Sequence, residues 1–368
     1  MSKQKQVKKN SGGLHLHLVK RDDIPWWESW TIRIIAILLA LIVSGVLTVL
    51  ITKIDPIKMY ITMVESAFGT PRRIWNLAQG SAILLCIALA VTPAFKMKFW
   101  NIGAEGQTLM GGLATAAFII AYGSRLPDSL LIPITLVLSM LAGAFWAIIP
   151  AYFKTKLNAN ETLFTLMMNY IAIQIAAYYT MEWAIPKNSN TARILHEGQL
   201  PAVFGQPYFI NIAVVLLVTV LMYIYLKYSK QGYEISVVGE SVNTARYIGI
   251  NVKKVTLRTM AISGAICGIA GFLLVSGTNH SVNDNSVNGR GYTAIMVSWL
   301  AKFNPIYMIL TSLLIVFLQM GALKIAEVHG LNPSFPDIIT GIIIFFIIGS
   351  EFFINYQLKL KKKEEKVW

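Results

Sequence analysis

The sequence predicts an all-α, polytopic membrane protein with about ten transmembrane helices. Of its 368 residues, 55% are hydrophobic and only 14% are charged, and the mean hydropathy is +0.58. Apolar stretches of roughly 20 residues, the length that crosses a hydrocarbon core about 30 Å thick, recur along the chain. A soluble two-domain protein of this length would be far less apolar.

The predicted spans are separated by short polar connections. Because the third and eighth are shorter than a full crossing, their ends are the least defined. In order, the spans cover residues 30–51, 74–94, 108–122, 130–153, 162–185, 209–228, 255–276, 292–301, 306–326 and 338–356. The chain thus divides into a polar tail (1–29), a transmembrane domain (30–356) that contains one long polar loop (227–254), and a basic tail (357–368).

The net charge of +14 reflects membrane topology. Short cytoplasmic segments carry an excess of Lys and Arg, so both termini are predicted to be cytoplasmic. Arg72 and Arg73 are the exception to this rule, because the ten-span topology places them outside. The basic residues imply contact with anionic lipids, and nucleic-acid binding is not expected. The tail lysines are Lys3, Lys5, Lys8, Lys9 and Lys20 at one end and Lys359, Lys361, Lys362, Lys363 and Lys366 at the other.

The first 29 residues and the span that follows them contain no candidate site residues. The first apolar stretch is too long for a cleaved signal sequence, so it is predicted to remain as an anchor. Trp26, Trp27 and Trp30 suit an interfacial aromatic belt. His15 and His17 lack further ligands, so no metal site and no cofactor are predicted.

The segment NIGAEGQ, residues 101–107, places polar groups beside apolar spans. Polar side chains at membrane depth are tolerated where they are buried in protein or line an aqueous path, so Asn101, Glu105 and Gln107 are candidate site residues. If this segment is helical, Asn101 and Glu105 lie one turn apart. The alternative is a surface loop in which Gly103 and Gly106 serve as turn residues.

Two halves of the chain show a similar order of parts. The second span, NIGAEGQ and spans three to five resemble the seventh span, the polar run 279–291 and spans eight to ten. This order suggests an inverted repeat, and such repeats place binding sites at their interface.

The fifth span carries a polar stripe. At 100° per residue, Thr165 and Asn169 share one small, polar face, whereas Met167 and Tyr170 lie opposite. This face either lines a pathway or contacts another helix through hydrogen bonds. The glycines at Gly264, Gly268 and Gly271 in the seventh span predict close helix packing.

The long loop predicts a short helix over residues 241–247 that ends before Gly249. The chain has no P-loop for a nucleotide and no HExxH, GxSxG or CxxC motif. Enzymatic activity is therefore not predicted.

Four sequence segments resemble one transporter family. They are NIGAEGQ, NETLFTLMMNYIA from Asn160, GESVNTARYIGINVKKV from Gly239 and GRGYTAIMVSWLAKFNP from Gly289. Together they look like the permeases of bacterial ABC importers that include the ribose and branched-chain amino-acid permeases. Within that family they are similar to nucleoside permeases that work with basic-membrane-protein-type lipoproteins. Trp299 and Lys302 depart from the family pattern.

The resemblance implies a role and a set of partners. The chain would be a permease subunit in the bacterial cell membrane. It would pair with a second, unlike permease, an ABC ATPase subunit and an extracellular nucleoside-binding lipoprotein. The loop would be the coupling helix that docks on the ATPase, through Glu240, Ala245, Arg246, Gly249 and Asn251. The translocation path would involve Asn101, Glu105, Gln107, Thr165, Asn169, Tyr292 and Thr293.

Alternatives remain open at this point. Glu105 either lines the path or holds backbone amides of the broken segment. The protein as a whole would otherwise be an ion-coupled secondary transporter, an ABC permease for a simple sugar, or a membrane scaffold. A secondary transporter would need coupling carboxylates deeper in its spans than Glu105, Glu161 or Glu351.

Overall fold

The computed structural model describes residues 14–21, 25–53, 55–185, 192–332 and 334–362. Most of the tail lysines therefore lie outside the described residues, namely Lys3, Lys5, Lys8, Lys9, Lys363 and Lys366. The side chains of His15 and His17 also lie outside them.

A helix covers each predicted span, although the first and last residues differ, and among the described residues three further helices match no predicted span. The helices are α1 (Trp26–Thr52), α2 (Pro56–Phe68), α3 (Pro71–Lys96), α4 (Ala104–Tyr122), α5 (Asp128–Leu157), α6 (Glu161–Glu182), α7 (Phe209–Tyr228), α8 (Lys230–Glu240), α9 (Val242–Tyr247), α10 (Val252–Leu274), α11 (Arg290–Leu300), α12 (Pro305–His329) and α13 (Phe335–Asn355). A π-helical turn, Val275–Asn279, extends α10. Two strands, β1 (Leu14–Lys20) and β2 (Tyr356–Lys362), complete the described elements.

The chain divides into two compact units. The terminal unit contains residues 1–63 and 322–368, and the central unit contains residues 64–321. In the terminal unit α1 packs against α13, and Arg33 donates a hydrogen bond to Glu351 Oε1 at 2.7 Å.

Two short strands at the ends of the described chain accompany a structure that is otherwise helical, as predicted. β1 pairs with β2 in antiparallel register, from Leu14 opposite Lys362 to Lys20 opposite Tyr356. Both sequences, LHLHLVK and YQLKLKK, alternate apolar and polar residues, which is the period of a strand rather than of a helix.

The number of membrane spans stays a prediction. Among the described residues, seven helices are long and apolar enough to cross a membrane. The third, fifth and eighth predicted spans, now α4, α6 and α11, are not among them. The polar and small residues of α4 and α6 lower their hydropathy, and α11 has only 11 residues. The inverted repeat likewise stays a prediction.

The core of the central unit is formed by α3 and α10. Almost every residue of α3 from Leu77 to Phe95 is buried, and most of α10 is buried as well. A helix that is apolar and buried on all sides belongs to the interior of a bundle.

The glycines of α10 allow this packing, as predicted. A Cβ atom at Gly264 would overlap the carbonyl oxygen of Gly143, and one at Gly268 would overlap that of Ser139. At Gly271 the overlap would be with the carbonyl oxygen of Thr108. Backbones of α10, α5 and α4 therefore approach each other directly.

The long loop is more helical than predicted. The helix predicted over 241–247 is confirmed as α9, and Ser241 caps it by accepting a hydrogen bond from Thr244 N at 3.2 Å. Gly249 follows with φ of 84°. The helix α8, which precedes α9, was not predicted.

Candidate functional site

The segment 101–107 forms a turn followed by the start of α4. Because α4 begins at Ala104, Asn101 lies before the helix. Asn101 and Glu105 would lie one helical turn apart only if the whole segment were helical, and that condition is not met. Instead, Asn101 Oδ1 accepts hydrogen bonds from Gly103 N at 3.0 Å and from Gln107 Nε2 at 3.1 Å. The Asn101 side chain thus fixes the start of α4.

Glu105 joins α4 to the start of α11. Its Oε1 accepts a hydrogen bond from Gly289 N at 2.8 Å, and its Oε2 accepts one from Gly291 N at 2.7 Å. The side chain is only 6% exposed. A carboxylate at the N-terminus of a helix is stabilised both by these amides and by the helix dipole. Gly291 has no room for a Cβ, which would overlap the backbone nitrogen of Glu105.

The polar face of α6 packs against the same segment. Thr165 Oγ1 accepts a hydrogen bond from Ile102 N at 3.2 Å. Asn169 Oδ1 accepts one from Gly106 N at 2.8 Å, while Asn169 Nδ2 donates to Ile102 O at 2.9 Å. The opposite face is exposed, with Met167 and Tyr170 among its residues.

Tyr292 on α11 connects this network to the surface. Its hydroxyl accepts a hydrogen bond from Asn169 Nδ2 at 3.2 Å, and the residue is 38% exposed. The neighbouring Thr293 is half-buried, and its hydroxyl donates to Gly289 O at 3.2 Å.

The structure therefore brings six of the seven predicted path residues into a single junction. Asn101, Glu105, Gln107, Thr165 and Asn169 are buried. Their polar atoms bond to each other and to backbone groups, as burial of such groups requires. Tyr292 joins the junction from its exposed side. Thr293 bonds only within α11.

Three members of this junction were not predicted. Ser263 on α10 accepts a hydrogen bond from Asn101 Nδ2 at 3.3 Å, and the amides of Gly289 and Gly291 bind Glu105. A single serine beside a glycine in an apolar span carries no sequence signal. The glycines do stand in the polar run 279–291, which suggested half of a repeat, and in the segment from Gly289 that carries the family resemblance, but neither pattern identifies a partner for Glu105.

An aromatic cluster lies at the other end of α11. The rings of Trp100 and Trp299 are stacked with centroids 5.8 Å apart, and Phe95 contacts both edge-on. Trp299 follows Tyr292 by seven residues, so the two share one face of α11. Both tryptophans are about half exposed.

The predicted coupling residues are divided between the core and the surface. Ala245 is buried in a cluster with Phe99, Ala151 and Ile235. Glu240, Arg246, Gly249 and Asn251 are exposed. Asn251 Oδ1 caps α10 by accepting from Lys254 N at 3.1 Å. The buried Ala245 thus anchors α9 and leaves the remaining residues on the surface.

The described part of the chain contains no cluster of metal-binding side chains. Within it, no group of three or more His, Cys, Asp or Glu side chains is placed to hold a metal ion. Cys86 and Cys267 are both fully buried and unpaired.

Comparison with known proteins decides the family. Residues 73–348 match the family described as branched-chain amino acid transport system / permease component. The chain belongs to this family. This permease is 28% identical over 359 residues to a glucose ABC transporter permease of Haloferax volcanii, which covers 94% of each chain.

Two further relatives are named for nucleosides. The permease is 29% identical to the guanosine ABC transporter permease protein NupP of Bacillus subtilis, over 90% of this chain and 97% of the relative. It is 27% identical to the nucleoside ABC transporter permease protein NupB of Lactococcus lactis, over 86% of this chain and 90% of the relative. The permease is accordingly a multi-pass membrane protein of an ABC transport system.

Proposed function

We propose that this permease forms half of the membrane path of an ATP-driven nucleoside importer. Two relatives that align along most of their length are named for guanosine and for nucleosides. ATP hydrolysis would belong to a separate ATPase subunit, and an extracellular binding protein would deliver the substrate. The observation that carries the proposal is the junction of residues 101–107, α6 and α11, which ends at the exposed Tyr292.

The junction suits a neutral solute with many hydrogen-bonding groups. A nucleoside carries hydroxyls and ring donors but no charge, so its passage needs scattered polar contacts rather than an ion site. Tyr292 and Thr293 would face the solute. The wall behind them would consist of Asn101, Glu105, Gln107, Thr165 and Asn169. This wall would hold the elements that carry the contact residues.

The acidic residues do not favour ion coupling. Among the described residues, Glu105 is the only buried carboxylate, and each of its oxygens accepts a hydrogen bond from a backbone amide. A proton- or sodium-coupled transporter would need a carboxylate whose bonding changes during the cycle.

The segment around α9 would dock on the ATPase. Tyr247 is 92% exposed, and Arg246 and Gly249 lie beside it on the surface. Because Ala245 anchors the helix in the core, movement of the ATPase would be transmitted to α8 and α10 by rigid contact. Both termini would lie on the same, cytoplasmic side as this segment.

A simple sugar is the second candidate substrate. The similarity to a glucose permease extends over 94% of both chains. Measuring the transport of nucleosides and of sugars therefore decides which solute is carried. Ribose is part of every ribonucleoside, and the two classes share hydroxyl groups.

Uptake measurements distinguish these candidates. Cells that express the complete transporter should accumulate labelled guanosine, and excess unlabelled guanosine or adenosine should compete where glucose does not. Purified complex should show ATPase activity stimulated by its nucleoside-loaded binding protein. Competition by glucose alone would indicate that the transported solute is a sugar. Uptake that persists without the ATPase would refute ATP-driven import.

A further inference from the structure

A cavity of about 720 Å³ lies beside α9. Five segments of the central unit line it: the turn after α3, the end of α5, the first residue of α6, the region from α8 to α9, and the start of α10. We call it the basic cavity, because five of its lining residues are cationic: Lys98, Lys154, Lys156, Arg246 and Lys253.

Most of this charge is uncompensated. Glu161 is the one acidic residue that lines the cavity, and it pairs with Lys154 at 2.8 Å. Of the described residues, none forms an ion pair with Lys98, Lys156, Arg246 or Lys253. Four of the cations that line the cavity therefore lack an acidic partner among the described residues.

Topology alone explains only part of this arrangement. Lysines are expected on the cytoplasmic side, and Lys154 and Lys156 suit the last turn of α5, where the helix dipole is negative. Lys253 is different, because it lies in the first turn of α10. There the helix end is itself partly positive, so the helix dipole does not account for this lysine and slightly disfavours it.

The remaining lining is largely apolar. Phe99, Val238, Val242 and Ile250 lie beside the cations. The cavity also stands at the ends of α5 and α10, which are both candidate membrane spans. A ligand that fits these surroundings combines a negative group with apolar surface.

We infer that the basic cavity binds the phosphate of an anionic phospholipid from the cytoplasmic leaflet. This inference rests on the membrane orientation in the proposed function. Anionic lipids are concentrated in that leaflet, and basic pockets between helices at its surface bind their headgroups. The bound phosphate would compensate Lys98, Lys156 and Lys253, and the glycerol and upper acyl chains would contact the apolar lining.

Lipid titration of the purified transporter complex, followed by native mass spectrometry, tests this site. Phosphatidylglycerol should bind more tightly than phosphatidylcholine. The double variant Lys156→Gln/Lys253→Gln should bind phosphatidylglycerol about thirtyfold more weakly, since each lysine near an anionic headgroup contributes roughly fivefold. Lys156→Arg/Lys253→Arg should retain binding, and Lys230→Gln, an exposed lysine outside the cavity, should behave as the wild type.

Several outcomes would overturn the inference. One is equal affinity for the two lipids, and another is unchanged phosphatidylglycerol binding in the double glutamine variant. If millimolar inorganic phosphate displaces the lipid completely, the site takes a soluble anion instead. If the double variant loses its ATPase subunit but binds lipid normally, the cavity belongs to the docking surface. Because lipid binding is measured without transport, its failure is distinct from a failure to import nucleosides.

Discussion

The Glu105 carboxylate and the Gly291 amide form a 2.7 Å hydrogen bond between residues 186 positions apart in the chain. With the second bond, to Gly289 N, it attaches the polar start of α4 to the polar start of α11. The two polar segments that the sequence suggested as counterparts therefore meet directly. The carboxylate replaces water as the partner of helix-end amides that would otherwise be buried without acceptors.

Glu105→Gln should destabilise the permease. A glutamine has one acceptor oxygen, so one of the two amides would face an NH₂ group and lose its acceptor. An unsatisfied buried donor costs about 1–3 kcal/mol. Thermal unfolding in detergent should show a lower midpoint and reduced recovery of the assembled complex. Glu65→Gln, at an exposed position, is the matched control, and equal midpoints for the two variants would contradict a structural role for Glu105.

Asn169→Leu and Tyr292→Phe should distinguish a residue that stabilises the junction from a residue that contacts the solute. Leucine at position 169 leaves the Gly106 amide and the Ile102 carbonyl without their partners, so unfolding should occur at lower temperature. Tyr292→Phe removes one hydroxyl, and we expect normal assembly with a several-fold loss of uptake, as for one net hydrogen bond of about 1 kcal/mol. Full uptake by the Tyr292 variant would argue against contact with the solute.

Gly249→Trp should uncouple the ATPase from transport. A bulky residue at a positive φ is strained by about 1–2 kcal/mol and would also obstruct docking. Gly249→Asn is the control, because asparagine tolerates this backbone conformation. Arg246→Glu should also uncouple transport by reversing a surface charge. The measurement compares uptake with ATPase activity in the assembled complex, and normal uptake by both Gly249→Trp and Arg246→Glu would refute the assignment.

Cysteine labelling should establish the side of the membrane on which α9 lies. We expect Asn243→Cys to resist a membrane-impermeant thiol reagent in intact cells and to react after permeabilisation. Asn285→Cys, in the polar run before α11, should react from outside. The native Cys86 and Cys267 are fully buried and should leave a low background. Reaction of Asn243→Cys in intact cells would invalidate the proposed orientation.

His280 should make stability depend on pH. Burial lowers its pKa from the usual value of 6.5, and its carbonyl accepts a hydrogen bond from Leu195 N at 2.8 Å. The unfolded chain therefore binds a proton near pH 6.5 when the folded protein does not. The contribution of His280 to the free energy of unfolding is therefore present above pH 6.5 and declines as the pH falls below it. The unfolding midpoint should drop less on acidification in His280→Gln, and identical pH profiles would contradict the prediction.

The sequence anticipated the helices better than the strands. Hydropathy and the 100° periodicity are local properties, and they located the polar face of α6 and the short helix α9 correctly. They did not predict β1 and β2. The basic residues in LHLHLVK and YQLKLKK indicate membrane topology, and the alternation of apolar and polar residues in the same segments is a separate signal. Hydropathy and periodicity also left open whether Asn101 belongs to a helix that in fact begins only at Ala104, since helix starts depend on capping contacts that a pattern does not contain.

The sequence by itself determined that this chain crosses the membrane repeatedly, because apolar segments of sufficient length have no other solvent. It also identified Asn101, Glu105 and Asn169 as unusual, because a polar side chain between apolar spans needs a partner. Only the tertiary structure decided what those partners are. Gly291 for Glu105, Gly106 for Asn169 and Ser263 for Asn101 come from other parts of the chain, and long-range hydrogen bonds leave no periodic trace in the residues that form them.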